Sequence, residues 1–143
     1  MNSKTAIAEL SFLLDLDEEL RGRILTAFLA VSEISVRDAG TALIREGQDD
    51  SDSGFVLISG SVNVAKSTGG GGRVAAPALF GEMKQFGPGG QRVATVSMEE
   101  SGEVAAFSWT KLYREMETRI DAGELEQFRD ALRRYAWKHL LDE

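Results

Sequence analysis

The sequence predicts an α+β fold: a small antiparallel β-jelly-roll barrel flanked by N-terminal helices and by a C-terminal helix. Three observations carry that reading. Apolar residues fall at helical spacing before residue 30; short apolar runs alternate with Gly, Asp and Ser clusters through the middle; helical spacing returns after residue 110. The length of 143 residues suits one domain over 1–143, with N-terminal helices at 5–30, a β-roll at 31–109 and C-terminal helices at 110–141.

In the first part, Asp15-Leu16-Asp17-Glu18 offers an N-cap with an acidic first turn. Leu20, Ile24, Leu25, Phe28 and Leu29 then form a core stripe, and Arg21 and Arg23 face elsewhere. The apolar runs that read as strands are 33–36, 41–44, 55–58, 62–64, 93–96 and 104–109. Turn residues separate them, among them Asp38-Ala39-Gly40 and Ser59-Gly60. In Ser61-Val62-Asn63-Val64 apolar and polar side chains alternate, so one face of that strand is wet. The Gly69–Gly72 run mimics a degenerate dinucleotide fingerprint, but Arg73-Val74-Ala75 continues as a strand, so the run reads as a hairpin loop.

After the roll, Lys111 to Arg119 makes a short helix, and Asp121-Ala122-Gly123-Glu124 caps a longer one reaching about Leu141. Leu125, Phe128, Leu132, Tyr135 and His139 alternate by three and four along it. Two arrangements fit that spacing: a helix lying on its own barrel, and the seam of a homodimer through 124–141. The dimer is the expectation.

Composition narrows the function. There is no Cys, which removes disulfide frameworks, thiolate zinc sites and Cys nucleophiles. The single His, His139, sits on the terminal helix, so a His-rich metal site of the kind a catalytic jelly roll needs has no ligands. No enzyme and no metal site are expected. With 16 Lys+Arg against 23 Asp+Glu the net charge is −7, which argues against DNA. No stretch approaches 18 apolar residues and no signal core opens the chain, so no membrane is expected and the predicted location is the cytoplasm.

The stretch that carries chemistry runs from Phe80-Gly81-Glu82-Met83 through the Gly-Pro-Gly-Gly turn at 87–90 to Arg92-Val93-Ala94-Thr95-Val96. It opens at the end of one strand and closes at the head of the next. If the turn folds back, Glu82 and Arg92 face one shallow cavity. A carboxylate accepts hydroxyl or amine donors, and a guanidinium grips a phosphate with fixed fork geometry. Backbone N–H groups around Glu82, Met83 and Lys84 suit an anion. Residue spacing leaves two readings open, a sugar-phosphate site and a plain Glu–Arg surface pair.

These residues resemble the cyclic-nucleotide-binding domains of catabolite activator proteins, protein kinase regulatory subunits and cyclic-nucleotide-gated channels. The resemblance spans roughly 10–141. Leu43-Ile44-Arg45-Glu46-Gly47-Gln48 with Gly54-Phe55-Val56-Leu57-Ile58-Ser59-Gly60 is similar to the family's first signature, and Phe80-Gly81-Glu82 with Arg92-Val93-Ala94-Thr95-Val96 to its phosphate-binding cassette. The ten-residue step from Glu82 to Arg92 matches the bacterial activators. The resemblance implies that Glu82 holds the ribose 2′-hydroxyl and Arg92 the cyclic phosphate. It further implies that Gly81 permits close approach, that backbone N–H groups near Met83 and Val93 complete the cradle, and that Val74 walls the base. The C-terminal helix would act as lid, with Trp137 or Tyr135 stacking on the base.

Departures from the family pattern matter too. Lys84 stands where a small residue is common, and Pro77 where many members have Gly. Val93 offers no hydroxyl for a guanine amino group, which tilts the ligand towards cyclic AMP over cyclic GMP. Trp137-Lys138 stands where the activators place a Thr-Ser pair. The sequence stops at Glu143, just after the lid helix, so any output is expected to pass through an unidentified effector protein. The expectation is a stand-alone cyclic-nucleotide sensor with no other cofactor; the alternative is a ligand-silent domain of the same fold, used for dimerisation or docking.

Overall fold

A computed structural model describes residues 3–47, 52–67, 69–81 and 94–142, with side chains from residue 5 to residue 135 of these ranges. The chain begins with α1 (Ser3–Ala8), a 3-10 turn (Ser11–Asp15) and α2 (Glu18–Val31). Asp17 caps α2 by accepting the Leu20 N–H at 2.9 Å, and Glu18 and Glu19 place negative charge in its first turn. Leu20, Ile24, Leu25 and Phe28 are buried as the stripe predicts. Leu29 is not: it is 36% exposed, because Ala27 takes the fourth inward position beside Phe28.

Among the described residues eight strands follow: β1 (Glu33–Arg37), β2 (Ala42–Ile44), β3 (Ser53–Leu57), β4 (Ser61–Ala65), β5 (Gly71–Ala75), β6 (Ala78–Phe80), β7 (Thr95–Met98) and β8 (Gly102–Ser108). They form two antiparallel four-stranded sheets, ordered β1-β8-β3-β6 and β2-β7-β4-β5. The Gly69–Gly72 run lies at the β4–β5 hairpin, where Val62 faces Val74 and Ala65 faces Gly71. Gly69 and Gly70 thus lie in the turn and Gly71 and Gly72 open β5, so a strand and not a helix follows the run.

The period-2 alternation of strands divides the apolar residues between two cores. Phe55, Leu57, Val104, Ala78 and Phe80 point into the roll, where Val62, Val64 and Val96 of the other sheet meet them. Val56, Ile58, Leu79, Ala105 and Phe107 point the other way, onto the helices. β3, inside the first sheet, is thus covered on both faces, which is why 55–58 is a continuous apolar run. In β4, Asn63 and Ala65 are exposed and Val62 and Val64 buried, so the second sheet does have a wet face.

The strand read as running to Trp109 ends at Ser108. Ser108 caps α3 (Trp109–Glu117) by accepting the Lys111 N–H, and Trp109 opens that helix. The buried Phe107 ring meets Phe28 at 5.2 Å and Trp109 at 4.9 Å, both edge to face. Gly54 lies opposite Phe107, and a Cβ built there would stand 2.3 Å from the ring's Cζ. That glycine is required by close packing.

The last helix, α4, runs Ala122–Asp142. Its start is a reciprocal capping box: the Glu124 N–H donates to Asp121 Oδ1 at 2.8 Å and the Asp121 N–H to Glu124 Oε1 at 3.0 Å. Glu124 also pairs with Arg23 at 2.9 Å, fixing the start of α4 to α2. Phe128, Leu132 and Tyr135 are buried among the chain's own helices, and Leu125 packs half-buried beside them. The seam assigned to a second copy is therefore filled from within the chain. A short apolar stripe has the same spacing whether it meets a partner or its own core. The side chain of His139, the seam's last member, lies outside the described residues.

Candidate functional site

The segment that carries Glu82 and Arg92 is delivered by β6 and collected by β7. Phe80 pairs opposite Phe55 and points into the roll. Gly81 follows, buried and with φ of 98°, a left-handed conformation that strains any L side chain. The described chain resumes at Ala94, buried in the same interior as Phe80. Both ends of the segment 82–93 are thus anchored in one apolar floor. Glu82, Met83, Lys84, Arg92 and Val93 lie outside the described residues, as does the side chain of Trp137.

Val74 reaches the same interior from β5 and packs half-buried against it. Its neighbour Arg73 points to the opposite face, where it pairs with Glu99 at 3.1 Å and Glu100 at 2.8 Å. That cation is committed to the outer surface of the roll and is not offered to an anion inside.

Glu46 braces the same end of the roll. Its N–H donates to Thr95 Oγ1 at 2.9 Å, next to Ala94. Its carboxylate accepts the Ser67 N–H at 2.9 Å and the Ser67 hydroxyl. The Ser67 hydroxyl bond, then the Ser67 N–H bond, with Lys66 nearby, hold the Glu46 carboxyl below its ordinary pKa against a smaller effect of burial. Glu46 therefore ties β2 to the β4–β5 hairpin and to the head of β7. Sequence reasoning placed Glu46 in one signature and Thr95 in another, without a role for either, and did not join them to each other or to Ser67. Short hydroxyl side chains do not show their partners until the fold brings them together.

Tyr135 departs from its expected place. It was a candidate to stack on a base; instead it is buried, 5.4 Å from the Phe12 ring. Its hydroxyl accepts the Leu79 N–H at 3.2 Å and donates to the Leu79 carbonyl at 3.1 Å. β6 is the edge of its sheet, so Leu79 has no neighbouring strand for these groups, and Leu79 is fully buried. A side chain already bonded to a buried strand edge cannot also lie over a ligand. What Tyr135 does is join α4 to β6, the strand that ends one residue later at Phe80 and leads into Gly81.

Among the described residues no group of three or more His, Asp or Glu side chains is placed to hold a metal ion, and no helix is long and apolar enough to cross a membrane.

Comparison with known proteins matches this arrangement. A family model described as the cyclic nucleotide-binding domain matches residues 36–119, more than half of the chain. No curated protein matches the chain. Among solved structures, the cyclic di-GMP-responsive global regulator CLP of Xanthomonas campestris is 24% identical, with a TM-score of 0.66. The match covers 85% of this chain but only 60% of the regulator. A putative cyclic nucleotide-binding protein of Geobacter metallireducens is 17% identical with a TM-score of 0.68, and the match covers 98% of this chain and 99% of that one. The regulatory domain of Toxoplasma gondii PKA, solved with cyclic AMP, is 20% identical with a TM-score of 0.68 over 94% of this chain and 48% of that one. At these identities the structural likeness speaks for the fold.

Proposed function

The chain belongs to the cyclic nucleotide-binding domain family, and on that premise we propose that it is a cyclic-nucleotide sensor, preferring cyclic AMP to cyclic GMP, that acts on a partner protein through its C-terminal helix. Arg92 takes the cyclic phosphate and Glu82 the ribose 2′-hydroxyl. Gly81 and the backbone N–H groups of Met83 and Val93 line the cradle, and Val74 and Trp137 flank the base. No catalytic step is assigned.

The observation that carries this reading is the Tyr135 hydroxyl on the backbone of Leu79. A ligand acts on a partner only by interacting differently with two states of the protein. The cassette begins at the end of β6, and α4 grips β6 two residues upstream of Gly81. Any displacement of Gly81 when an anion is captured bears directly on that grip. The preference for cyclic AMP rests on Val93, which has no hydroxyl for a guanine amino group.

Isothermal titration with cyclic AMP, cyclic GMP and cyclic di-GMP tests it. The last is included because the Xanthomonas regulator responds to it. Cyclic AMP is expected to bind most tightly. Arg92→Ala is expected to weaken binding about 10- to 100-fold, since a charged hydrogen bond contributes about 1.5–3 kcal/mol, and Glu82→Ala to weaken it less. No heat and no thermal shift at millimolar nucleotide would refute the sensor and leave a docking module of the same fold. Tighter binding of cyclic di-GMP would refute the ligand assignment.

A further inference from the structure

We propose that β1 is a self-pairing edge, through which two copies of the chain form a weak dimer by antiparallel strand pairing centred on Ser35.

Among the described residues β1 ends the first sheet and pairs only with β8. The direction of its backbone follows from the ladder. Ile58 N–H donates to the Glu103 carbonyl at 2.9 Å, so Glu103 turns its backbone towards β3. By the alternation of an antiparallel strand, Val104 and Ala106 turn theirs towards β1. Their partners there are Ser35 and Glu33. Ile34 and Val36 therefore turn N–H and C=O outward, away from the sheet. Their side chains share one face and are 46% and 68% exposed.

The other sheet edges are closed or poor templates. β6 is sealed by Tyr135 at Leu79. β2 has three residues and a shift of register between Ala42 and Ile44. β5 opens with two glycines and carries the charged Arg73. β1 is five residues long, with two apolar side chains and no charge, proline or bulge at its centre. Proteins ordinarily blunt such an edge.

A second copy fits because the strand is its own complement. Its sequence is Glu33-Ile34-Ser35-Val36-Arg37. Antiparallel pairing about Ser35 sets Glu33 of each copy opposite Arg37 of the other, and Ile34 opposite Val36. Ile34 and Val36 then exchange all four outward hydrogen bonds with each other. Centring on Ile34 or Val36 instead loses both ion pairs and one of the apolar matches. Arg37 Nε donates to Ser35 Oγ at 2.9 Å, which holds the guanidinium along the face where Glu33 of the other copy arrives. Five residues bury far less than the roughly 800 Å² per partner of a stable interface, so the dimer forms only at high protein concentration.

Sedimentation velocity on the full chain, from micromolar to several hundred micromolar, tests this. The expected result is a concentration-dependent monomer–dimer equilibrium. Val36→Lys is expected to leave a monomer. Val36→Pro removes one outward N–H while leaving the bonds to β8 intact, and is expected to do the same. Arg37→Glu is expected to weaken the dimer about tenfold, and the exchange Glu33→Arg with Arg37→Glu to restore it. Circular dichroism and the melting temperature verify that each variant is folded. A monomer at every concentration would overturn the proposal. So would a dimer that survives Val36→Lys, or one that the charge exchange fails to restore.

Discussion

Replacing Tyr135 by Phe removes one oxygen atom and tests the link between the C-terminal helix and the cassette strand. The ring keeps its contact with Phe12. Lost are the bond from Leu79 N–H at 3.2 Å and the bond to the Leu79 carbonyl at 3.1 Å. Both Leu79 groups lie in a fully buried residue, on the open edge of β6. Leaving a buried donor or acceptor without a partner costs about 1–3 kcal/mol. The two bonds are long for a hydroxyl, and the variant is relieved of burying that hydroxyl, so the lower half of the range applies. The expected destabilisation is about 2 kcal/mol, or a fall in melting temperature on the order of 6–8 °C for a chain of this size. Urea unfolding followed by circular dichroism gives the free energy. Tyr113→Phe is the control: it removes the hydroxyl of a half-buried ring that meets Phe128 edge to face, centroids 6.2 Å apart. A Tyr135→Phe protein within about 0.5 kcal/mol of the parent would refute the claim that this hydroxyl seals the strand. If the parent binds a nucleotide, the same variant is expected to bind it with altered affinity, because the strand leading into Gly81 loses its brace.

Further consequences can be measured in the same way. Gly54→Ala is expected to destabilise by about 1–3 kcal/mol, since the new methyl group meets Phe107, which Phe28 and Trp109 prevent from retreating; an alanine variant as stable as the parent would show that the ring can move. Asp52→Ala is expected to cost about 1–2 kcal/mol, because Asp52 Oδ1 accepts the Thr110 N–H at 2.9 Å and the Thr110 hydroxyl at 2.7 Å at the start of α3. Burial opposes the charge on Asp52, but bonds from Ser108 and Thr110, with Lys111 nearby, outweigh it and hold the pKa below 3.8. A pKa depressed on folding contributes stability above the unfolded value that is lost as pH falls through the folded one, so the parent should lose stability below about pH 4 more steeply than Asp52→Asn. Parallel pH profiles of the two would contradict that assignment. Glu124→Ala is expected to cost about 1 kcal/mol by removing the carboxylate that accepts the Asp121 N–H and pairs with Arg23, while the Glu124 N–H keeps its bond to Asp121, with thermal unfolding as the readout.

Much of the fold was legible because its signals are local. The caps at Asp17 and Asp121 are short motifs with a fixed mechanism, and both act as read. The wet and dry faces of β4 follow from its two-residue period. Less legible was what covers an apolar face at the edge of a stripe or on the last helix. Leu29 and the seam at Phe128, Leu132 and Tyr135 have spacings that say they lie on one face, and spacing carries nothing about what covers that face. For the candidate site, Gly81 entered only through a resemblance, as a point of close approach; the structure adds its burial and its φ of 98°. The brace of Glu46, Thr95 and Ser67 was not legible, because its members lie 49 and 21 residues apart and meet only after the roll closes.

The filled seam also limits how the C-terminal helix can respond to a ligand. Lifting α4 off the domain would expose Phe128, Leu132 and Tyr135, each contributing about 1.5–3 kcal/mol by its burial, so roughly 5–9 kcal/mol in all. A ligand bound at micromolar affinity releases about 8 kcal/mol in total. Such a ligand cannot both bind usefully and drive a swing of the whole helix. It can act on a smaller step that leaves Phe128 and Leu132 packed and changes the bond between Tyr135 and Leu79. The first turns of α4 are held independently by Glu124 on Arg23, which again directs motion away from that end. On the proposed function, the part of the helix from Tyr135 onward is where a nucleotide would act and where a partner protein is expected to read it.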